Sequence, residues 1–359
     1  MRQRAHARPL TVCTLIAGVF ATVSSASAVT QPGGLTLYGV ADAAIEAINH
    51  LPANGGSTVR MTSGNQTASQ WGIRGTEDLG GGMRAVVNLE SGFDIDTGKL
   101  NQGGRMFGRQ AFVGLQSSLG TLSLGRQPTV VYDLFRPFDA MNGGPRYSAT
   151  SIEPEFTVRA DNMIKYRGRF GGLEAEAFYS FGRDGNGEVP GDARAASNYG
   201  AGLTYGVGKT SVGLAYDELR GATPTLSDRA TRKLFVGANH DIGPVRLFAG
   251  YRWLDDEGIA SAATRQHVAN LYWLGAQYKV TGALRLRAAA YHEDTRHDNA
   301  DPWLFIVAAN YNLSKRTDAY LLMGYAHNPG NAAQGINGVG TVVAGENQTG
   351  VTLGLRHTF

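Results

Sequence analysis

Along most of the chain, apolar and polar residues alternate with a period of two. In residues 85–96 one parity carries Ala85, Val87, Leu89, Phe93 and Ile95, and the other carries Asn88, Glu90, Asp94 and Asp96. Leu173, Ala175, Ala177 and Tyr179 alternate with Glu174, Glu176, Phe178 and Ser180. Val245, Leu247, Ala249, Tyr251 and Trp253 alternate with Arg246, Phe248, Gly250 and Arg252. Residues 284–293 repeat the pattern with Leu284, Leu286, Ala288 and Ala290 against Arg285, Arg287, Tyr291 and Glu293. Successive side chains of a strand point to opposite faces, so each segment predicts a strand with one apolar and one polar face. The segments run about ten residues. Strands of soluble sandwiches are shorter, whereas tilted strands that cross a bilayer need about 9–11 residues.

Short turn signals separate the segments in pairs: Gly80-Gly81-Gly82, Leu119-Gly120, Gly171-Gly172, Gly206-Val207-Gly208, Gly243-Pro244, Thr281-Gly282 and Ser314-Lys315. Each interval holds two strands and one longer loop. The seven turns divide the chain into eight hairpins and predict about sixteen strands. In lipid an open sheet edge would leave unpaired N–H and C=O groups at several kcal/mol each, so a sheet of this kind must close. The expected fold is all-β, a transmembrane antiparallel β-barrel, and sixteen strands leave a lumen too wide for side chains to fill.

The first residues set the compartment. Arg2, Arg4 and Arg8 precede an apolar run from Leu10 to Val23, and small residues follow to Ala26-Ser27-Ala28. This is the layout of a secretory signal peptide. The run, about 14 residues, is too short for a spanning helix. Residues 1–28 are therefore read as a cleaved signal peptide and 29–359 as one barrel domain. The single cysteine, Cys13, falls inside the signal, which removes disulfides, thiolate nucleophiles and cysteine-ligated metals from consideration. The whole chain carries 33 basic and 30 acidic residues. Loss of the three leader arginines leaves a formally neutral product, without the basic excess that a nucleic-acid partner would need.

Catalytic signatures are missing: there is no G-x-S-x-G elbow, no H-E-x-x-H and no phosphate-binding G-x-x-x-x-G-K-[ST]. His292 and His297 flank Glu293 and Asp294, but at the end of a strand beside an expected external loop they read as surface histidines. No enzyme, no metal and no cofactor is expected.

Several stretches resemble the general porins of β-proteobacterial outer membranes. They are Leu35-Thr36-Leu37-Tyr38-Gly39-Val40-Ala41-Asp42, Trp71-Gly72-Ile73-Arg74-Gly75-Thr76-Glu77-Asp78-Leu79-Gly80, Glu90-Ser91-Gly92-Phe93, Gly108-Arg109-Gln110-Ala111-Phe112-Val113-Gly114-Leu115 and Leu124-Gly125-Arg126-Gln127. The resemblance implies a homotrimer of sixteen-stranded barrels in contact with outer-membrane lipids and lipopolysaccharide. It further implies passive diffusion of ions and small hydrophilic solutes, with a third external loop folded into the lumen. The candidate for that constriction loop is the irregular stretch 133–161, in the longest interval between turns.

A charged eyelet selects by opposing fixed charges. Arg109 and Arg126 match family positions on the basic side, Arg159 is a looser match, and Arg74 faces the lumen by parity. Gln70 stands where the family usually has arginine, which weakens the basic row. Asp139, Glu153 and Glu155, with Asp133 as a further candidate, are expected on the acidic side. The alternative is a substrate-specific channel, whose mark would be a track of lumen aromatics; Phe178, Phe248 and Tyr291 have the right parity but lie on distant strands. The last strand alternates strictly and ends on Phe359, which resembles the signal read by the barrel-assembly machinery.

Overall fold

The computed structural model describes residues 34–184, 188–260, 266–296 and 300–359. The proposed signal peptide, its cleavage point and His297 lie outside these residues. Sixteen antiparallel spanning strands close on themselves among the described residues. They are β1 (Gly34–Ile48), β2 in two pieces (Thr58–Ser63 and Gln70–Gly80), β3 (Met83–Gly92), β4 (Gln110–Ser117), β5 (Gly120–Pro128), β6 (Arg159–Phe170), β7 (Leu173–Ser180) and β8 (Asn198–Val207). The second half comprises β9 (Thr210–Arg220), β10 (Ala230–Ile242), β11 (Val245–Asp256), β12 (His267–Lys279), β13 (Leu284–Thr295), β14 (Trp303–Asn312), β15 (Thr317–His327) and β16 (Gln348–Thr358). Each strand pairs with its sequence neighbours. The barrel closes where β1 meets β16, in a register running from Val40↔Thr358 to Ile48↔Gly350. Phe359 adds the final rung: its N–H donates to Gly39 O at 3.0 Å, and Gly39 N–H donates to Phe359 O at 3.1 Å.

All seven turn signals fall at hairpin ends. Gly81, Gly171, Gly208 and Gly243 hold φ of +61°, +61°, +59° and +59°, a conformation that glycine adopts without the strain a Cβ would bring. The outward parity is apolar and exposed, as a lipid face requires: Leu37, Leu124, Leu214, Leu247, Leu274, Val307 and Leu353 all belong to it.

The inner face is less simple than alternation suggested. The segment between β5 and β6 folds inward, beginning with helix α1 (Val130–Phe135). At the Arg136-Pro137 step the α-helix gives way to a 3-10 turn over Arg136–Phe138, since proline has no N–H to continue the helical ladder. Val130, Val131, Leu134 and Phe135 are buried, and Phe138 and Phe156 continue the same apolar face. They meet Phe235 of β10 and Trp273 of β12, with ring centroids 5.5 Å apart for Phe135–Phe235 and 5.9 Å for Phe156–Trp273. Burying each such side chain contributes roughly 1.5–3 kcal/mol. The wall makes room with glycines: a Cβ on Gly237 would stand 2.8 Å from the Phe138 ring, and one on Gly275 would stand 2.5 Å from Ala140 Cβ. Hence β14 is apolar on both faces, with Leu304 and Ile306 buried inside and Phe305 and Val307 exposed outside.

Candidate functional site

Polar bonds fix the inward loop at several points. Trp273 Nε1 donates to Phe138 O at 2.9 Å, and Gln277 Nε2 donates to Ala140 O at 2.7 Å. Asp139 is buried and folds the loop tip around itself, accepting from Tyr291 Oη at 2.5 Å, Gly143 N at 2.9 Å and Met141 N at 3.2 Å. Burial raises the Asp139 carboxyl above its ordinary range in spite of these donors. The far end of the loop is tied by Ser151 Oγ donating to Ile336 O at 2.5 Å and by Gln334 Nε2 donating to Ser151 O at 2.8 Å.

The acids expected to face the lumen are turned into the wall. Glu153 is ion-paired to Lys233 at 2.6 Å and to Arg252 at 2.7 Å. Burial pushes its carboxyl up, but Lys233 and Arg252 outweigh that and hold it below the ordinary carboxylate range. Glu155 pairs with Lys233 and Arg183, both at 3.3 Å. Asp133 pairs with Lys165 of β6. Asp139, Glu153 and Glu155 are at most 2% exposed, so they anchor the loop and do not form an open acidic row.

Several arginines border the remaining space, although Arg109 and Arg159 are themselves buried. A cavity of about 430 Å³ is lined by Gln70, Arg109, Arg126, Tyr132, Arg136, Arg159 and Arg183, among others, with Asp184 as its one carboxylate. Arg109 is paired to Glu90 at 2.7 Å and donates to Tyr132 Oη at 3.3 Å. Arg126 would share the outer parity of Leu122 and Leu124. At the top of β5, however, Asp161 and Asn162 bulge opposite it, and its guanidinium turns onto Asp161 at 2.7 Å and Gly108 O at 2.7 Å. Arg136 and Arg159 hold their guanidinium carbons 4.6 Å and 4.7 Å from the Tyr132 ring centre, a cation–π distance. Their hydrogen bonds go to the carbonyls of Asn142 and Thr157, and neither has a carboxylate partner among the described residues. Burial pushes the Tyr132 phenol up, but Arg136, Arg159 and Arg109 together bring it below its ordinary value.

Arg74 is exposed on β2, 5.0 Å over the ring of Tyr38, and lies apart from this cluster. Gln70 lines the cavity and reaches Glu90 at 3.4 Å. Tyr132, Arg136 and Arg183 escaped the sequence reading, because residues outside the strands carry no period-two alternation to place them. Phe178, Phe248 and Tyr291 are buried in the apolar cluster beneath the loop, so these three do not form an aromatic track along the lumen. His292 stacks on Trp303 at 4.2 Å, and no cluster of metal-ligating side chains occurs among the described residues.

A model of the family described as Gram-negative porin matches residues 12–331. Outer membrane porin protein 32 of Delftia acidovorans is 30% identical, with 94% of this chain and 98% of that protein covered. An outer membrane porin protein of Bordetella pertussis is also 30% identical, over 83% of this chain and 84% of that one. Among solved structures, the anion-selective porin from Comamonas acidovorans superimposes with a TM-score of 0.80 at 26% identity, covering 91% of this chain and all of that one. With a closed sixteen-stranded barrel and a loop folded inside it, this chain belongs to the Gram-negative porin family: it is a diffusion channel of the outer membrane and not an enzyme.

Proposed function

We propose that the channel favours small hydrophilic anions, selected by fixed positive charge at the inward loop. The observation that carries this reading is the pair Arg136 and Arg159, two lumen-lining guanidinium groups without a carboxylate partner beside Arg109 and Arg126, while the loop acids are buried against the wall. A guanidinium field in a narrow aqueous gap lowers the energy of a passing anion and raises that of a cation. The anion-selective porin from Comamonas acidovorans, matched over its whole length, agrees with this reading. The deciding measurement is the zero-current potential across a planar bilayer in a KCl gradient: the expected sign is that of chloride preference, and a potassium sign would sink the reading. Gln70→Arg should strengthen chloride preference only modestly, because Glu90 stands beside the new charge and partly offsets it.

We further propose that residues 1–28 are removed on export, that the mature chain assembles as a homotrimer, and that Phe359 serves as the assembly signal. Phe359 is half exposed and forms the last rung of barrel closure, where the assembly machinery can reach it. Phe359→Ser should lower the amount of barrel in the outer membrane while leaving export intact; unchanged surface levels on whole-cell labelling would refute this role. Light scattering of the detergent-solubilised protein should return three protomers per particle, and a monomer would count against the trimer.

A further inference from the structure

We propose that the barrel holds a second anion site, at its short-turn end, that binds a compact doubly charged oxyanion. This inference rests on the reading of the pore as an anion channel. A cavity of about 330 Å³ lies on the side of the loop tip away from the Tyr132 cluster, lined by Gln66, Asp139, Arg246, Arg285, Arg287 and Arg356, among others. Arg246 and Arg285 are each the second residue of their strands, just after the Gly243-Pro244 and Thr281-Gly282 turns. Short turns mark the periplasmic end of such barrels, so the basin faces the periplasm. Thr67, in the break of β2, lines this cavity and the first one.

The four arginines are not equivalent. Arg246 is held by Asp241 through two bonds of 2.6 Å, and Arg356 by Asp318 at 2.9 Å. Arg287 donates only to neutral acceptors, Gln66 Oε1 at 2.8 Å and Asn310 Oδ1 at 2.7 Å. Neither Arg287 nor the exposed Arg285, two residues along the same face of β13, has a carboxylate partner among the described residues. The remaining acid of the lining, Asp139, is closed in by its own donors. Two buried N–H donors behind the lining have no acceptor, at Arg287 Nε and Gln66 Nε2. Two guanidinium groups with no carboxylate bonded to them match the charge and acceptor oxygens of a phosphate or a small dicarboxylate, and charge-assisted bonds of this kind are the strong ones. A monovalent ion such as chloride would meet only half of that charge.

The test uses inorganic phosphate on the full-length porin in a planar bilayer carrying chloride current. Phosphate added from the periplasmic side should reduce the current with a saturating dose dependence, and at lower concentration than phosphate added from the opposite side. Arg285→Gln and the double variant R285Q/R287Q should raise the half-blocking concentration, by about tenfold or more in the double variant. Arg285→Gln, at an exposed position, keeps the test valid if Arg287 proves necessary for folding. Block that is equal from both sides, or unchanged in both variants, would overturn the site. The zero-current potential of the wild type in KCl separates this failure from failure of the anion-channel reading, since it reports chloride preference without phosphate.

Discussion

Replacing Glu153 with alanine should loosen the inward loop more than any other single change. The carboxylate is the shared partner of Lys233 and Arg252, and its loss leaves Lys233 with only Glu155 at 3.3 Å and Arg252 with only Glu293 at 2.6 Å. Removing one member of a buried ion pair typically costs about 3–5 kcal/mol when the partner charge stays uncompensated, and Glu155 and Glu293 bring the cost here below that range. The barrel itself should persist, since its strands are joined through independent backbone ladders. The expected result is a noisier and larger single-channel conductance with near-normal strand content by circular dichroism, together with a lower unfolding temperature. A quiet channel of wild-type conductance would show that the apolar contacts of Phe135, Phe138 and Phe156 hold the loop without the ion pairs. The pH dependence has a definite sign. Because the folded carboxyl of Glu153 lies below its ordinary value of 4.5, its contribution is present above that value and fades as pH falls through the folded one. The stability gap between wild type and Glu153→Gln should therefore close on acidification.

Neutralising Arg136 and Arg159 together should cause the largest change in ion preference. An ion passing about 8 Å from a fixed charge in water gains or loses roughly 0.5 kcal/mol by Coulomb's law, so two charges change chloride permeability relative to an uncharged wall by roughly fivefold. The confined lumen is less polarisable than bulk water, which raises that figure, while mobile ions lower it. The zero-current potential of R136Q/R159Q should move toward potassium at about 0.1 M salt, and the difference should shrink near 1 M, where the screening length falls to about 3 Å. Arg109→Gln removes a single charge and should shift it less than the double variant, in the same direction, since it leaves the charge of Glu90 without its partner. An unchanged potential in the double variant would mean that ions pass elsewhere than along the Tyr132 cluster.

The same comparison separates what local pattern encodes from what packing decides. Strand identity, strand length, the seven turns and the lipid face follow from the sequence alone. Side-chain alternation and the need for glycine at positive φ are local rules, and a closed sheet in lipid satisfies them in one way. Arg109 beside the lumen and the loop between β5 and β6 were legible through resemblance. The fates of the charged loop residues were not. Glu153 and Glu155 look like free acids in sequence, yet Lys233 and Arg252, about 80 to 100 positions away, capture them. Arg126 shares the parity of lipid-facing leucines, and only a bulge on the neighbouring strand brings it onto Asp161. Phe178, Phe248 and Tyr291 have lumen parity but lie in a core formed when the loop folds back on the wall. Parity gives the side of the wall on which a residue stands. Which inner charges stay free depends on partners distant in sequence, and those meet only when the loop is seated inside the closed barrel.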